Sequence, residues 1–115
     1  MNPNDHFIPL QEPTLYILLS LRGGEKHGYA ILKDVTELSD KRVNLSTGTL
    51  YGALYRLLDQ GLIEQTESKD GARGKKAYRL TPSGLEVFDA EVSRMKHVLF
   101  VVHKKVDTLM EGEQL

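Results

Sequence analysis

The sequence predicts a mainly α domain with a two-stranded β wing, followed by a long C-terminal helix. Three observations carry that prediction. Apolar residues recur at helical spacing in three segments between Pro13 and Gly61. Two short alternating runs flank a turn rich in glycine and basic residues. An unbroken heptad of apolar positions runs from Leu85 to Leu109.

The first dozen residues hold Pro3, Pro9 and Pro13 and read as a flexible arm over residues 1–11. Pro13 suits a first helical turn, where its missing N–H would have no partner anyway. Thr14 to Leu21 is apolar nearly all round and predicts a buried first helix, which Gly23-Gly24 ends. A second helix is predicted from about His27 to Leu38, with Ile31, Val35 and Leu38 on its inner face. After a linker from Ser39 to Leu45, Ser46 is placed as the N-cap of a third helix that ends before Gly61. Leu50, Ala53, Leu54 and Leu57 form its core stripe. Leu62 to Glu67 and Ala77 to Thr81 read as the strands of a hairpin whose turn is Ser68 to Lys76. The last helix starts at Thr81-Pro82-Ser83-Gly84, capped by Thr81 or by a Ser83–Glu86 capping box. Its seam is Leu85, Phe88, Val92, Met95, Leu99, Val102, Val106 and Leu109. Three helices, a hairpin and a further helix, in that order, are a winged helix-turn-helix over residues 1–81 with a dimerisation helix over 82–115.

Composition narrows the function classes. The chain has 115 residues, one domain's length, and no cysteine, so disulfides, thiolate zinc sites and a cysteine nucleophile are excluded. The four histidines, His6, His27, His97 and His103, have no zinc-ligand spacing, and Gly71 to Lys76 lacks the phosphate-loop pattern. No nucleophile, base and acid arrangement is legible, so the chain reads as a non-enzyme without metal or cofactor. Without a secretory signal or a spanning apolar stretch, it reads as a cytoplasmic protein with no membrane partner. Net charge is −1, yet residues 41–79 hold eight Lys or Arg against four acids. That basic middle can present a local positive face.

With Leu50, Leu54 and Leu57 turned inward, the third helix presents Gly48, Gly52, Tyr55, Arg56 and Asp59 outward, with Tyr51 on the flank. An exposed mid-helix glycine costs about 1 kcal/mol relative to alanine. Two of them one turn apart make sense where another surface must approach closely, and a DNA groove is such a surface. Ser46, Thr47, Gly48 and Thr49 supply hydroxyls and helix N-terminal N–H groups suited to phosphate. Tyr51, Tyr55 and Arg56 supply donors for phosphates or base edges. Arg73, Lys75 and Lys76 on the hairpin tip suit a DNA backbone or minor groove. The blander alternatives are a Ser46 that only caps, tyrosines that cover core edges and a solvated tip.

His27-Gly28-Tyr29, the run Ser46-Thr47-Gly48-Thr49-Leu50-Tyr51 with Gly61-Leu62-Ile63 behind it, and Lys76 to Gly84 together resemble the PadR family of bacterial transcriptional regulators. The resemblance implies a homodimer, a repressor role and a palindromic operator in double-stranded DNA. It places Gly48, Thr49 and Tyr51 in a recognition helix and Tyr29 beside the DNA backbone. The single terminal helix is similar to the family's small subgroup. Some of its members stack flat aromatic compounds on a tryptophan between subunits. This chain has no tryptophan, so no ligand residues are assigned and a small-molecule effector stays unidentified. The dimer interface is assigned to Phe88, Val92, Met95, Leu99, Val102, Val106 and Leu109, the later part chiefly between subunits. The competing reading is a winged-helix module that binds protein through the same face without reading DNA. A third is a scaffold that holds a ligand at the dimer interface.

Overall fold

A computed structural model describes residues 4–67 and 76–113 of the chain. A single 3-10 turn at Asp5–Phe7 precedes α1 (Glu12–Arg22), β1 (Lys26–His27), α2 (Gly28–Leu38), α3 (Thr47–Asp59), β2 (Ile63–Glu67), β3 (Lys76–Leu80) and α4 (Pro82–Glu113). The sheet is antiparallel with strand order β1-β3-β2. In it Gln65 faces Tyr78, and Lys26 faces Tyr78 from the other side. The expected two-stranded wing thus gains a third strand. At two residues, β1 is too short to leave an alternating pattern in the sequence.

The core forms where α1, α2, α3 and the first turns of α4 meet over the sheet. Ile17, Leu18, Ile31, Val35, Leu50, Leu54, Leu62 and Val87 are essentially inaccessible to solvent. Polar bonds tie α1, α2 and β1 together inside this layer. Lys26 Nζ lies 2.6 Å from Asp34 Oδ2 and 2.6 Å from the Ser20 carbonyl, while Ser20 Oγ donates to Asp34 at 2.7 Å. Burial pushes the Asp34 carboxyl up, but the hydrogen bonds from Lys26 and Ser20 and the charges of Lys26 and Lys33 outweigh it. The group stays below the ordinary carboxylate range.

The end of α3 is fixed by a glycine cap. Gly61 has φ +73°, a left-handed conformation. Its N–H bonds the Leu58 carbonyl and that of Leu62 bonds the Leu57 carbonyl, which is the paired bonding of a Schellman motif. Leu62 and Leu57 are both buried, supplying the apolar contact of that motif. The chain then meets the start of α4. Thr81 N–H donates to the Leu62 carbonyl at 3.1 Å and Thr81 Oγ1 to the Gly61 carbonyl at 2.6 Å. The same Thr81 oxygen accepts from Gly84 N–H at 3.0 Å. Of the two caps open to the sequence, Thr81 is therefore the one used, with Pro82 as the first helical residue. A Cβ on Gly84 would lie 1.9 Å from the Leu62 carbonyl oxygen, so only glycine lets α4 rest there.

On α4 the face turned into its own domain is Gly84, Val87, Phe88 and Glu91. The heptad seam lies one strip round. Leu85, Val92 and Met95 are half-buried, and Phe88 is shared by both strips. Glu91 is 1% exposed. Its carboxylate accepts from Leu10 N–H at 2.5 Å and from Arg94 Nε, which compensates the burial of its charge. Residues 4–11, read from sequence as a loose arm, lie against α4 through this bond, through Asn4 donating to Glu86 at 2.7 Å, and through Phe7, Ile8 and Leu10 on the core. From Lys96 to Gly112 α4 is exposed, including Leu99, Val102, Val106 and Leu109.

Two outcomes follow. Gly84→Ala is expected to destabilise the protein by about 2–4 kcal/mol, read by urea unfolding, because α4 or the Leu62 backbone must shift. Asp34→Asn is expected to lose about 1–2 kcal/mol at neutral pH. The Asp34 carboxyl titrates below its unfolded value. Its contribution is therefore complete above that value, about pH 4, and is lost as pH falls through the lower folded value. The gap between wild type and Asp34→Asn should close on acidification and stay open at pH 7.

Candidate nucleic-acid interface

The face built by α2, α3 and β3 gathers most of the residues that sequence reasoning selected. Ser46 caps α3 as expected: its Oγ accepts from Thr49 N–H at 3.1 Å and donates to Thr49 Oγ1 at 2.8 Å. Ser46, Thr47, Gly48 and Thr49 are all exposed. The Ser46 and Thr49 hydroxyls are thus engaged with each other, and the Thr47 side chain shares the open N-terminal end of the helix.

Along α3 the core stripe turns Gly48, Gly52 and Tyr55 outward. Tyr55 is 74% exposed. Nothing lies within 4 Å of a Cβ built on Gly48, and a Cβ on Gly52 would meet only Arg56 Nη1, at 3.8 Å. Neither glycine is required by the fold: both have helical backbone and open space. No contact inside the domain offsets the helix stability that the two glycines give up.

Tyr51 occupies one flank, 45% exposed. Its ring lies over the start of α2. A Cβ on Gly28 would meet Tyr51 Oη at 2.5 Å and Cζ at 2.9 Å. Gly28 is therefore the seat that lets the tyrosine lie flat between α2 and β3. Tyr29, the next residue, is 70% exposed on the same side. Together His27, Gly28, Tyr29, Ala30, Tyr51, Lys76 and Tyr78 line one cleft. Lys76 reaches it from the first position of β3, where its cross-strand neighbour is Glu67.

Arg56 is not on that flank. It stands five positions beyond Tyr51, about 140° round the helix, beside Phe7, Pro9 and Gln60. The sequence-selected set thus divides into a tyrosine side next to β3 and an arginine side next to the N-terminal segment, with the two glycines between them. Arg73 and Lys75 fall outside the described residues. Sequence reasoning missed Gly28 and Tyr78. The signal for Gly28 was its place in His27-Gly28-Tyr29, which has meaning only once Tyr51 is known to lie on it. Tyr78 carried no signal beyond its place in the second strand of the hairpin.

Among the described residues no cluster of His, Cys, Asp or Glu could hold a metal ion, and no helix is long and apolar enough to cross a membrane. The site offers hydroxyls, backbone N–H groups, aromatic edges and lysine or arginine charge.

Residues 17–90 match the model of the transcriptional regulator PadR-like family. The chain is 37% identical over 84 residues to an uncharacterized 37.1 kDa protein in transposon TN4556 of Streptomyces fradiae, a match over 73% of this chain and 23% of that protein. It is 36% identical over 70 residues to transcriptional regulator Rv3488 of Mycobacterium tuberculosis, covering 61% of this chain and 63% of the relative. The chain thus spans less than two thirds of the length of both relatives. Among solved structures, Bacillus subtilis PadR in complex with operator DNA is similar with a TM-score of 0.62 and 28% identity, over 71% of this chain and 48% of that one.

Gly28→Ala is expected to disturb this face. The added methyl must displace the Tyr51 ring, so tyrosine fluorescence and the local amide shifts of residues 27–30 and 51 should change together, with a stability loss of about 1–3 kcal/mol.

Proposed function

This chain belongs to the PadR-like family of transcriptional regulators, and we propose that it acts as a sequence-specific DNA-binding repressor, as a homodimer on a palindromic operator. The observation that carries this reading is the pair of sterically unnecessary glycines on the outer face of α3, between exposed tyrosines and an exposed arginine. Glycine there gives up helix stability and returns only closeness to something outside the chain. A major groove admits a helix and rewards that closeness with base-edge and phosphate contacts.

In this reading Gly48 and Gly52 let the helix backbone enter the groove. Thr47, Thr49, Tyr51, Tyr55 and Arg56 reach bases or phosphates, with Ser46 holding the N-terminus they share. Tyr29 and Lys76 contact the backbone on the wing side, and Arg73 and Lys75 extend that contact. A two-fold partner supplies the second recognition helix. Its supporting feature is the exposed apolar strip of α4: Leu99, Val102, Val106 and Leu109 stand clear of their own domain, exposed by 45% or more. Burying such a strip against the same strip of a second copy is the isologous solution. Val92 and Met95 continue that strip towards the domain, whereas Phe88 is 8% exposed within its own core and adds little surface to it. The protein acts in the cytoplasm, carries no catalytic residues and needs no cofactor.

Gly52→Ala separates this reading from a purely structural one. Restoring a helix-favouring residue should stabilise the free protein by about 0.5–1 kcal/mol. It should weaken binding to the DNA upstream of the protein's own gene by about tenfold in mobility-shift titrations, since a methyl intrudes into the contact. Wild-type affinity should fall steeply as salt rises. Absence of a wild-type shift on that DNA and on random duplex at low salt would move the face to a protein partner.

A further inference from the structure

We infer that the cleft between the N-terminal segment and the later half of α3 binds a small organic carboxylate, anchored on Arg56, and that the bound acid competes with DNA for that arginine. Binding of the acid concerns the free protein; only the competition rests on the DNA-binding reading above.

The cleft has a volume of about 220 Å³, below the roughly 300–1,000 Å³ of sites for drug-sized ligands. Its size suits a small metabolite. α3 contributes Arg56, Leu57 and Gln60, and the N-terminal segment contributes Phe7 and Leu10. Gln11 and Thr14 line it from the start of α1. The N-terminal wall is held in place. Leu10 N–H donates to Glu91, a buried carboxylate that Arg94 also binds, and Phe7, Ile8 and Leu10 pack on the core. The cleft is therefore formed before a ligand enters it, and binding does not have to order a loose arm. No residue of α4 lines it among the described residues, so it is separate from the strip assigned to a second copy.

The lining chemistry selects the occupant. Among the described residues Arg56 is the only charged side chain on the cleft. It makes no ion pair among those residues, although Asp59 follows it by one helical turn. A guanidinium offers a carboxylate two parallel N–H···O bonds in a fixed fork. Gln11 stands at the N-cap position of α1 and gives no cap bond, so its amide is available to a ligand. Gln60 adds a second amide and Thr14 a hydroxyl. Phe7, Leu10 and Leu57 provide apolar surface for a short hydrocarbon body. A cationic ligand would meet Arg56 with no lining carboxylate to offset it. An inorganic anion would leave the apolar walls uncovered. The coupling to DNA follows from the position of the anchor. Arg56 is exposed on α3 and is one of the side chains proposed above to reach bases or phosphates. One guanidinium cannot hold an acid in the cleft and a phosphate on the duplex together, so each ligand lowers the affinity of the other by the same factor.

The test titrates the free full chain with butyrate, hexanoate and octanoate at constant ionic strength, beside hexanamide and inorganic phosphate. Thermal shift and the amide shifts of residues 10–14 and 53–62 are the readouts. At least one carboxylate should raise the melting temperature saturably and move those amides, while hexanamide and phosphate do neither. Arg56→Gln should weaken the acid by about tenfold. Thr14→Leu, which fills the cleft from a residue outside the DNA-contacting set, should abolish acid binding and leave duplex affinity unchanged. Saturating acid should weaken duplex binding by the wild type by about tenfold and leave the remaining affinity of Arg56→Gln unaltered. Several results overturn the site: no response to any of the three acids, an equal response to hexanamide or phosphate, or undiminished acid binding in Arg56→Gln or in a folded Thr14→Leu. Acid binding with unchanged duplex affinity overturns the competition. If the wild type binds no duplex, the regulator reading fails, and the titration of the free protein still decides the site.

Discussion

The carbonyls of Gly61 and Leu62 face the start of α4, and Thr81 binds both of them while capping that helix. Three elements meet at this point: the end of α3, the base of the hairpin and the helix that leaves the domain. Gly61 supplies the left-handed turn that ends α3, and Gly84 supplies the space that lets α4 rest on the strand backbone. The orientation of α3 relative to α4 follows from these few bonds. A dimer made through the far end of α4 sets the spacing of two α3 helices only if this junction is stiff. Packing alone would allow small slides; hydrogen bonds to successive carbonyls do not.

The face that α3 presents has the opposite character. Its core side is fully packed, whereas its outer side holds two glycines with open space around them. Stability is surrendered on the face where the proposed contact lies and recovered at the junction and in the core. The tyrosines beside the glycines are not equivalent. Tyr55 stands free, Tyr51 is braced on Gly28, and Tyr78 is buried at the edge of the cleft. Bracing limits the rotamer freedom that a contact residue must lose on binding, which favours affinity.

Much of this was legible in the chain. The core stripe of α3 and its Ser46 cap follow from spacing and local chemistry, and the structure places both as read. So do the outward glycines, because a helical wheel needs only the period. What escaped the sequence depends on contacts distant along the chain. β1 exists because two residues pair with β3, and two residues carry no periodicity. The inward face of α4 was displaced by one strip because its fourth member is Glu91, a charge that no hydrophobic pattern would place in a core. Its partners, Leu10 and Arg94, become visible only in three dimensions, and the first of them is also why residues 4–11 are packed rather than loose. Gly28 is intelligible only as half of a pair with Tyr51.

The central claim is that duplex DNA docks on the face formed by the start of α2, the outer side of α3 and the start of β3. Amide chemical-shift mapping of the full chain during titration with duplex tests it most directly, because it reports every element at once. The account predicts the largest changes at residues 27–30, 46–56 and 76–78, with the exposed strip of α4 at 98–110 little affected. Changes centred on α4 or on the outer surface of α1, with α3 silent, would contradict it.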